Sequence, residues 1–270
     1  MMKQTLIATA AASACLLSAA PALAADAPAS PWTFTGNIGV VSDYLFRGIS
    51  QTNTEPAIQG GFDLTHSNGL YVGTWLSSIS WVSDTLGGSY PTEVDFYGGY
   101  RASFASDFGY DLGVITYVYP GEGRLPGTFE PDTTEVYGAL SWKWLSAKYS
   151  YVVSDYFVGW GTSTGGKTDG SDYIELNASF PLADGWGISV HWGDQTVEDN
   201  SPASYNDWNI GVTKDVGFGV IGLKYSSTDV NGTCTSTGGT SAYCWGNLAT
   251  GTNREDVADD VAVLTFSKTF

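Results

Sequence analysis

Positive charge is scarce in this chain: 11 Lys and Arg stand against 28 Asp and Glu, a formal net charge of −17. Phosphate recognition needs a basic surface, so nucleic acid is excluded as a partner. Histidine is nearly absent, with only His66 and His191. No His cluster and no regular calcium-loop spacing marks a metal centre, so neither metal nor cofactor is expected. Only three cysteines occur, Cys15, Cys234 and Cys244, with no Cys-x-x-Cys spacing for zinc or redox chemistry. Beyond the N-terminus no apolar run is long enough for a transmembrane helix. Aromatic residues, by contrast, are plentiful, with 10 Trp and 16 Tyr. Such rings suit the interface girdles of a membrane barrel, and equally the sugar-stacking face of a secreted sandwich.

Residues 1–24 read as a secretory signal. Lys3 supplies the positive start, Leu6 to Leu17 a short apolar core, and Ala22-Leu23-Ala24 a small-x-small cleavage site, so the mature chain is expected to run from Ala25 to Phe270. The core is short for an uncleaved anchor. Cleavage before Cys15, as in a lipoprotein, is disfavoured by Ala12 and by the site downstream. Cys234 and Cys244 then remain, in a Gly/Ser/Thr-rich segment from Asn231 to Thr252. In an oxidising exterior, a pair closing a small loop is most simply a disulfide.

The end of the chain sets the theme. Phe270, Phe266, Leu264 and Ala262 share one parity, and Thr269, Ser267 and Thr265 the other. Strict alternation means a strand with one apolar and one small polar face. The pattern recurs. Val94, Phe96, Tyr100, Ala102 and Phe104 oppose Glu93, Asp95, Tyr97, Arg101 and Ser103. Val136, Leu140 and Trp142 oppose Glu135, Tyr137 and Ser141; Ile174, Leu176, Ala178 and Phe180 oppose Tyr173, Glu175, Asn177 and Ser179. In the first run Phe34, Ile38, Val40, Tyr44 and Phe46 are set against Thr35, Asn37, Asp43 and Arg47.

We count twelve runs, near 33–47, 56–66, 70–80, 92–104, 109–119, 133–145, 146–157, 172–181, 186–194, 205–215, 217–228 and 259–270. Short connections such as Ser67-Asn68-Gly69 and Leu182-Ala183-Asp184-Gly185 alternate with long ones such as Trp81–Pro91, Pro120–Asp132 and Asp229–Ala258. Short turns on one side, long loops on the other and an even strand count predict an all-β fold: a closed antiparallel transmembrane β-barrel of about 12 strands, with short periplasmic turns and long extracellular loops. A loop-rich secreted sandwich is the competing architecture.

Lumen parity selects Asp43, Glu93, Asp95, Glu135, Asp155 and Glu175 as acids, and Arg47, Arg101 and Lys143 as bases, for the interior. Acids on one wall and bases on another would set a transverse field across a narrow hydrated pore; a salt-bridged, closed interior is the alternative. Catalysis is not expected. Ser189 and His191 point one way along their run and Asp194 the other, so they form no nucleophile–base–orienter line.

The stretch from Gly39 to Gln51, with its core Ser42-Asp43-Tyr44-Leu45-Phe46-Arg47-Gly48-Ile49-Ser50-Gln51, resembles a signature of the TorF-type porin family of proteobacterial outer membranes. Pro56–Asp63, Gly69–Trp75, Tyr173–Leu182, Gly211–Asp215 and Ser267–Phe270 are similar to the same family. The resemblance implies an outer-membrane barrel with no settled substrate and transfers no catalytic residues. The expected function is passive diffusion of small hydrophilic solutes, mildly cation-preferring; the contrasting expectation is a non-conducting structural or surface-recognition barrel. Expected partners are outer-membrane lipid, small hydrophilic solutes and, during insertion, the barrel-assembly machinery.

Overall fold

The computed structural model describes residues 30–105, 107–247 and 252–270. The expected signal peptide, 1–24, and its cleavage site lie outside the described residues. In chain order the strands are β1 (Trp32–Val41), β2 (Leu45–Phe46), β3 (Ile49–Ser50), β4 (Ala57–His66), β5 (Leu70–Ser78), β6 (Thr92–Ala105), β7 (Phe108–Val118), β8 (Thr133–Trp142), β9 (Leu145–Val152), β10 (Asp172–Pro181), β11 (Trp186–Thr196), β12 (Tyr205–Asp215), β13 (Val220–Thr228), β14 (Cys234–Thr235), β15 (Gly238–Gly239), β16 (Cys244–Asn247), β17 (Thr252–Asp256) and β18 (Val261–Thr269). One short helix, α1 (Trp81–Leu86), stands in the loop between β5 and β6.

Twelve of these strands close a barrel in the order β1-β18-β13-β12-β11-β10-β9-β8-β7-β6-β5-β4, every neighbour antiparallel. The seam joins the first strand to the last, with Gly39 opposite Ser267. Beyond the ladder, Gly36 and Phe270 exchange both backbone hydrogen bonds at 2.9 Å. No barrel strand keeps an unpaired edge, the condition for crossing hydrocarbon with strands.

Alternation decides which way each side chain faces. Phe96, Leu140 and Leu176 are 57%, 62% and 50% exposed on the outer wall, whereas Glu93 and Glu135 are 1% exposed within. A water-soluble sandwich requires the reverse arrangement. Large exposed apolar residues clothe the whole exterior, and Trp and Phe gather toward the short-turn rim, where Trp144 meets Phe180 at 4.6 Å and Phe108 meets Trp142 at 6.1 Å. This is an apolar band with an aromatic girdle.

On the inner wall, tyrosines lie across glycines of the neighbouring strand. Tyr97 faces Gly73 and Tyr137 faces Gly113. A Cβ on Gly73 would come within 2.4 Å of the Tyr97 ring, and one on Gly113 within 2.5 Å of Tyr137. The glycines give the rings room to lie against the wall, where they cover backbone that would otherwise be bare. Gly113→Ala is therefore expected to lower stability by about 1–3 kcal/mol through overpacking. Denaturant titration checks this, and adding Tyr137→Ser should return most of the loss.

Three expectations need correction. The first run ends at Val41, because the chain from Ser42 to Pro56 turns inward; Tyr44 and Phe46, expected on the lipid face, lie inside the barrel, Tyr44 buried and Phe46 at 5.4 Å from the Tyr117 ring. The run at 146–157 ends at Val152, and Phe157 packs inward with Val152, Val197 and Ala203. The long connections also carry structure of their own: α1 and the hairpins β14–β15 and β16–β17 occupy segments read only as connections between strands.

Candidate functional site: the barrel lumen

The most constrained feature of the lumen is the β2–β3 hairpin. Arg47 and Gly48 form its two-residue turn with φ of 48° and 82°. Positive φ at both central residues is the turn that matches strand twist, and Gly48 suits it. Arg47, with a Cβ, adopts the left-handed region at a cost of about 1–2 kcal/mol. Its side chain explains that choice. Nη2 donates to Glu135 Oε2 at 2.7 Å and Oε1 at 2.9 Å, and Nη1 donates to Gln195 Oε1 at 2.7 Å. Glu135 stands on β8 and Gln195 on β11, across the ring from β1 and β4, where the hairpin is rooted. The hairpin is thus a strap across the bore. Tyr173, Phe46 and Phe157 surround the guanidinium, their ring centroids 4.2, 4.8 and 5.5 Å away. Both partners of the ion pair are buried, which makes loss of one costly.

The flanks of the strap are polar as well. Tyr44 donates to Glu93 Oε1 at 2.6 Å, and Ser50 and Thr52 donate to Asp43 Oδ1 at 2.6 and 3.1 Å. Toward the long-loop rim an aromatic lid covers it. Trp81 of α1 meets Tyr119 at 5.0 Å and Trp245 of β16 at 5.9 Å, and Tyr243 meets Tyr205 and Trp160. The backbone N–H of Ser50 donates to Val257 of the lid at 2.8 Å. A void of about 20 Å³ remains between Phe46, Ile49, Trp81, Trp160 and Tyr243, room for about one water.

Below the strap, toward the short turns, the wall is polar. Tyr71 donates to Asp111 at 2.5 Å and its hydroxyl meets that of Tyr137 at 2.5 Å. Arg101 lies 4.2 Å over Tyr71, and Lys148 lies 4.6 Å over Tyr137 and 3.7 Å from Glu175. His191 sits 3.0 Å from Asp207 Oδ2 and 2.7 Å from Asn177 Oδ1, while Tyr173 donates to Asp207 Oδ1 at 2.7 Å.

The expected lumen residues therefore separate. Asp43, Arg47, Glu93, Asp95, Glu135, Arg101 and Glu175 face the interior, though Asp43 and Arg47 do so from the strap and not from a wall strand. Lys143 and Asp155 do not. Lys143 occupies the β8–β9 turn, half exposed, 3.9 Å from Asp107, and Asp155 lies exposed in a long loop, paired with Lys167 at 2.8 Å. Both fell at the ends of runs extended too far, where parity no longer reports a face. Acids and bases also do not divide between two walls; Asp111 on β7, Lys148 on β9, Glu175 on β10 and Asp207 on β12 interleave. Lys148, Asp207 and Gln195 went unnoticed although their own strands carry the same lumen parity, with Ser146–Lys148–Ser150 and Tyr205–Asp207–Asn209 alternating inward. His191 finds its acid on the neighbouring strand, a pairing that reading one strand at a time does not show. Cys234 and Cys244 form a disulfide that ties the start of the long loop to β16. Among the described residues no His, Cys, Asp and Glu group is arranged to hold a metal ion.

Solved structures similar to this chain include the KdgM porin in complex with disordered oligogalacturonate, at 6% identity over 88% of this chain and 98% of that one, with a TM-score of 0.49. The NanC porin gives 9% identity, 88% and 98% coverage and a TM-score of 0.49. Pseudomonas aeruginosa OprD gives 10% identity, 90% and 68% coverage and a TM-score of 0.41. No curated protein matches the sequence. The barrel assignment rests on the chain's own strand pairing and outer face. The profile of a bacterial family of unknown function, Gcw_chp, matches residues 25–270, and the chain belongs to that family.

Proposed function

We propose that the protein is an outer-membrane porin-like channel for passive diffusion of small hydrophilic solutes, constricted by the Arg47 strap and of the TorF type that its Ser42–Gln51 stretch resembles. One observation carries the reading: a closed barrel, apolar all round its exterior, encloses a wall of charged and hydroxyl-bearing side chains. An interior built only to be dry would use apolar filling, because each buried ion then needs a partner. On this reading the short turns face the periplasm, the long loops face outward, and residues 1–24 are removed on export. Mild cation preference follows from the acidic outer loops, with Glu122, Glu130, Glu198, Asp199, Asp259 and Asp260 among their charges, which draw cations to the mouth.

The aromatic lid favours a second reading, a non-conducting surface barrel, because Trp81 and Tyr243 are 3% and 2% exposed and fill the mouth. Purified protein in planar bilayers separates the two. Discrete conductance steps, with a reversal potential in a salt gradient that reports modest cation selectivity, are expected. Absence of steps both in the wild type and after replacement of residues 44–51 by a short Gly-Ser linker would remove the channel reading.

A further inference from the structure

We infer that the β2–β3 hairpin is a releasable latch, whose Arg47–Glu135 and Arg47–Gln195 contacts hold the lumen shut and whose withdrawal opens it. The inference rests on the channel reading and concerns how that channel is regulated.

Geometry comes first. Ser42 and Pro56 bracket the strap, and both ends rise from the long-loop rim, so the segment can withdraw without breaking a barrel ladder. Ser42 stays pinned there through its backbone N–H to Leu264 at 2.9 Å. The tip reaches the far wall by polar contacts that water can replace, a guanidinium on a carboxylate and an amide. Glu135 and Gln195 belong to wall strands and would then face a hydrated lumen, not hydrocarbon. Gln195 keeps its own hold on the wall by donating to the carbonyls of Asp172 and Thr196 at 3.0 Å each.

The surroundings of the tip are polar as well. Gly48 lies against the side chains of Asp207 on β12 and Thr228 on β13, beside Glu135 and Gln195, and groups of this kind suit a lumen that fills with water when the strap leaves. Apolar resistance to withdrawal comes from Ile49, which packs with Tyr205 of β12 and with Tyr243 and Val257 of the lid, and from Tyr44 and Phe46, which pack with Tyr117 of the wall; the Ser50–Val257 hydrogen bond couples strap and lid.

The test uses a thiol on the strap of the chain from Ala25 to Phe270, which lacks Cys15 and whose Cys234 and Cys244 are bonded to each other, so there is no background. Leu45→Cys, buried on β2, is placed in that chain in lipid vesicles and labelled with a polyethylene-glycol maleimide, alone and with Glu135→Gln or Gln195→Ala. Loss of a charge-assisted hydrogen bond should speed labelling by about tenfold in either background, with a matching rise in open probability in bilayers. Gln195→Ala leaves the ion pair intact and serves if Glu135→Gln fails to fold. Unchanged labelling and unchanged open probability in a folded variant overturn the latch. Faster labelling with no current in any protein upholds release of the strap and sinks the channel reading instead.

Discussion

Leu176→Arg should lower folding stability in lipid bilayers by about 2–4 kcal/mol, the range for a charge placed on the lipid face near the middle of a barrel. Leu176 is half exposed on β10, opposite Ala147 of β9 and Trp192 of β11, with the girdle residue Phe180 a further stretch toward the short turns. The guanidinium there stands among outward-facing apolar side chains such as Trp192 and Ile174, so it must thin the bilayer or stretch toward the long-loop interface, where Asp194 shares the outward parity. Ser179→Arg, on the same strand but of lumen parity, should cost far less, since the charge stays hydrated. Denaturant titration in vesicles of defined thickness measures both. If the two substitutions cost the same, the outer wall does not face hydrocarbon, and the assignment of inside and outside fails.

Trp81→Ala should cost about 3–5 kcal/mol, the usual range for removing a large buried aromatic side chain, but the loss should be local. Trp81 is nearly fully buried between Tyr119 and Trp245, and its backbone N–H donates to Gln51 at the base of the strap. None of these contacts belongs to the barrel ladder. Hydrogen exchange should therefore quicken in α1, in β16 and in residues 49–52, while the strands from β7 to β13 keep their protection. Uniform loss of protection through the barrel would show that lid and wall unfold as one unit.

The two expectations depend on features of unequal legibility in the sequence. The wall was readable because one rule, period two, governs every strand, and because its two environments differ sharply in chemistry. Glu93 and Asp95 could be placed inside from Phe96 alone. The strap was not readable as a strap. Tyr44, Phe46 and Arg47 continue the alternation of β1, and the chain turns back at two left-handed pairs, Arg47–Gly48 and Asn53–Thr54. Parity marked Asp43 and Arg47 as interior, but both lie beyond the end of β1, where Tyr44 and Phe46 of the opposite parity are interior too, and nothing local told that Arg47 reaches Glu135 and Gln195, residues distant in sequence. The lid escaped for a related reason. Its aromatics are spread over several loops, and their packing is a property of how the loops meet. Lys143 and Asp155 show the same limit from the other side, since alternation carried past a strand's end assigns a face where no sheet exists.

The seam between β1 and β18 has a consequence for how the molecule comes into being. Partners at that seam stand more than two hundred residues apart, as Gly39 and Ser267 do, so ring closure awaits a contact of the highest sequence separation the fold contains. Any partly built sheet would present raw hydrogen-bonding edges to lipid, which the bilayer does not tolerate. Assembly in the membrane should accordingly be close to all-or-none, with no stable half-barrel to isolate, and a slip of one residue at the seam would turn Phe266 and Leu264 inward and be rejected as a whole.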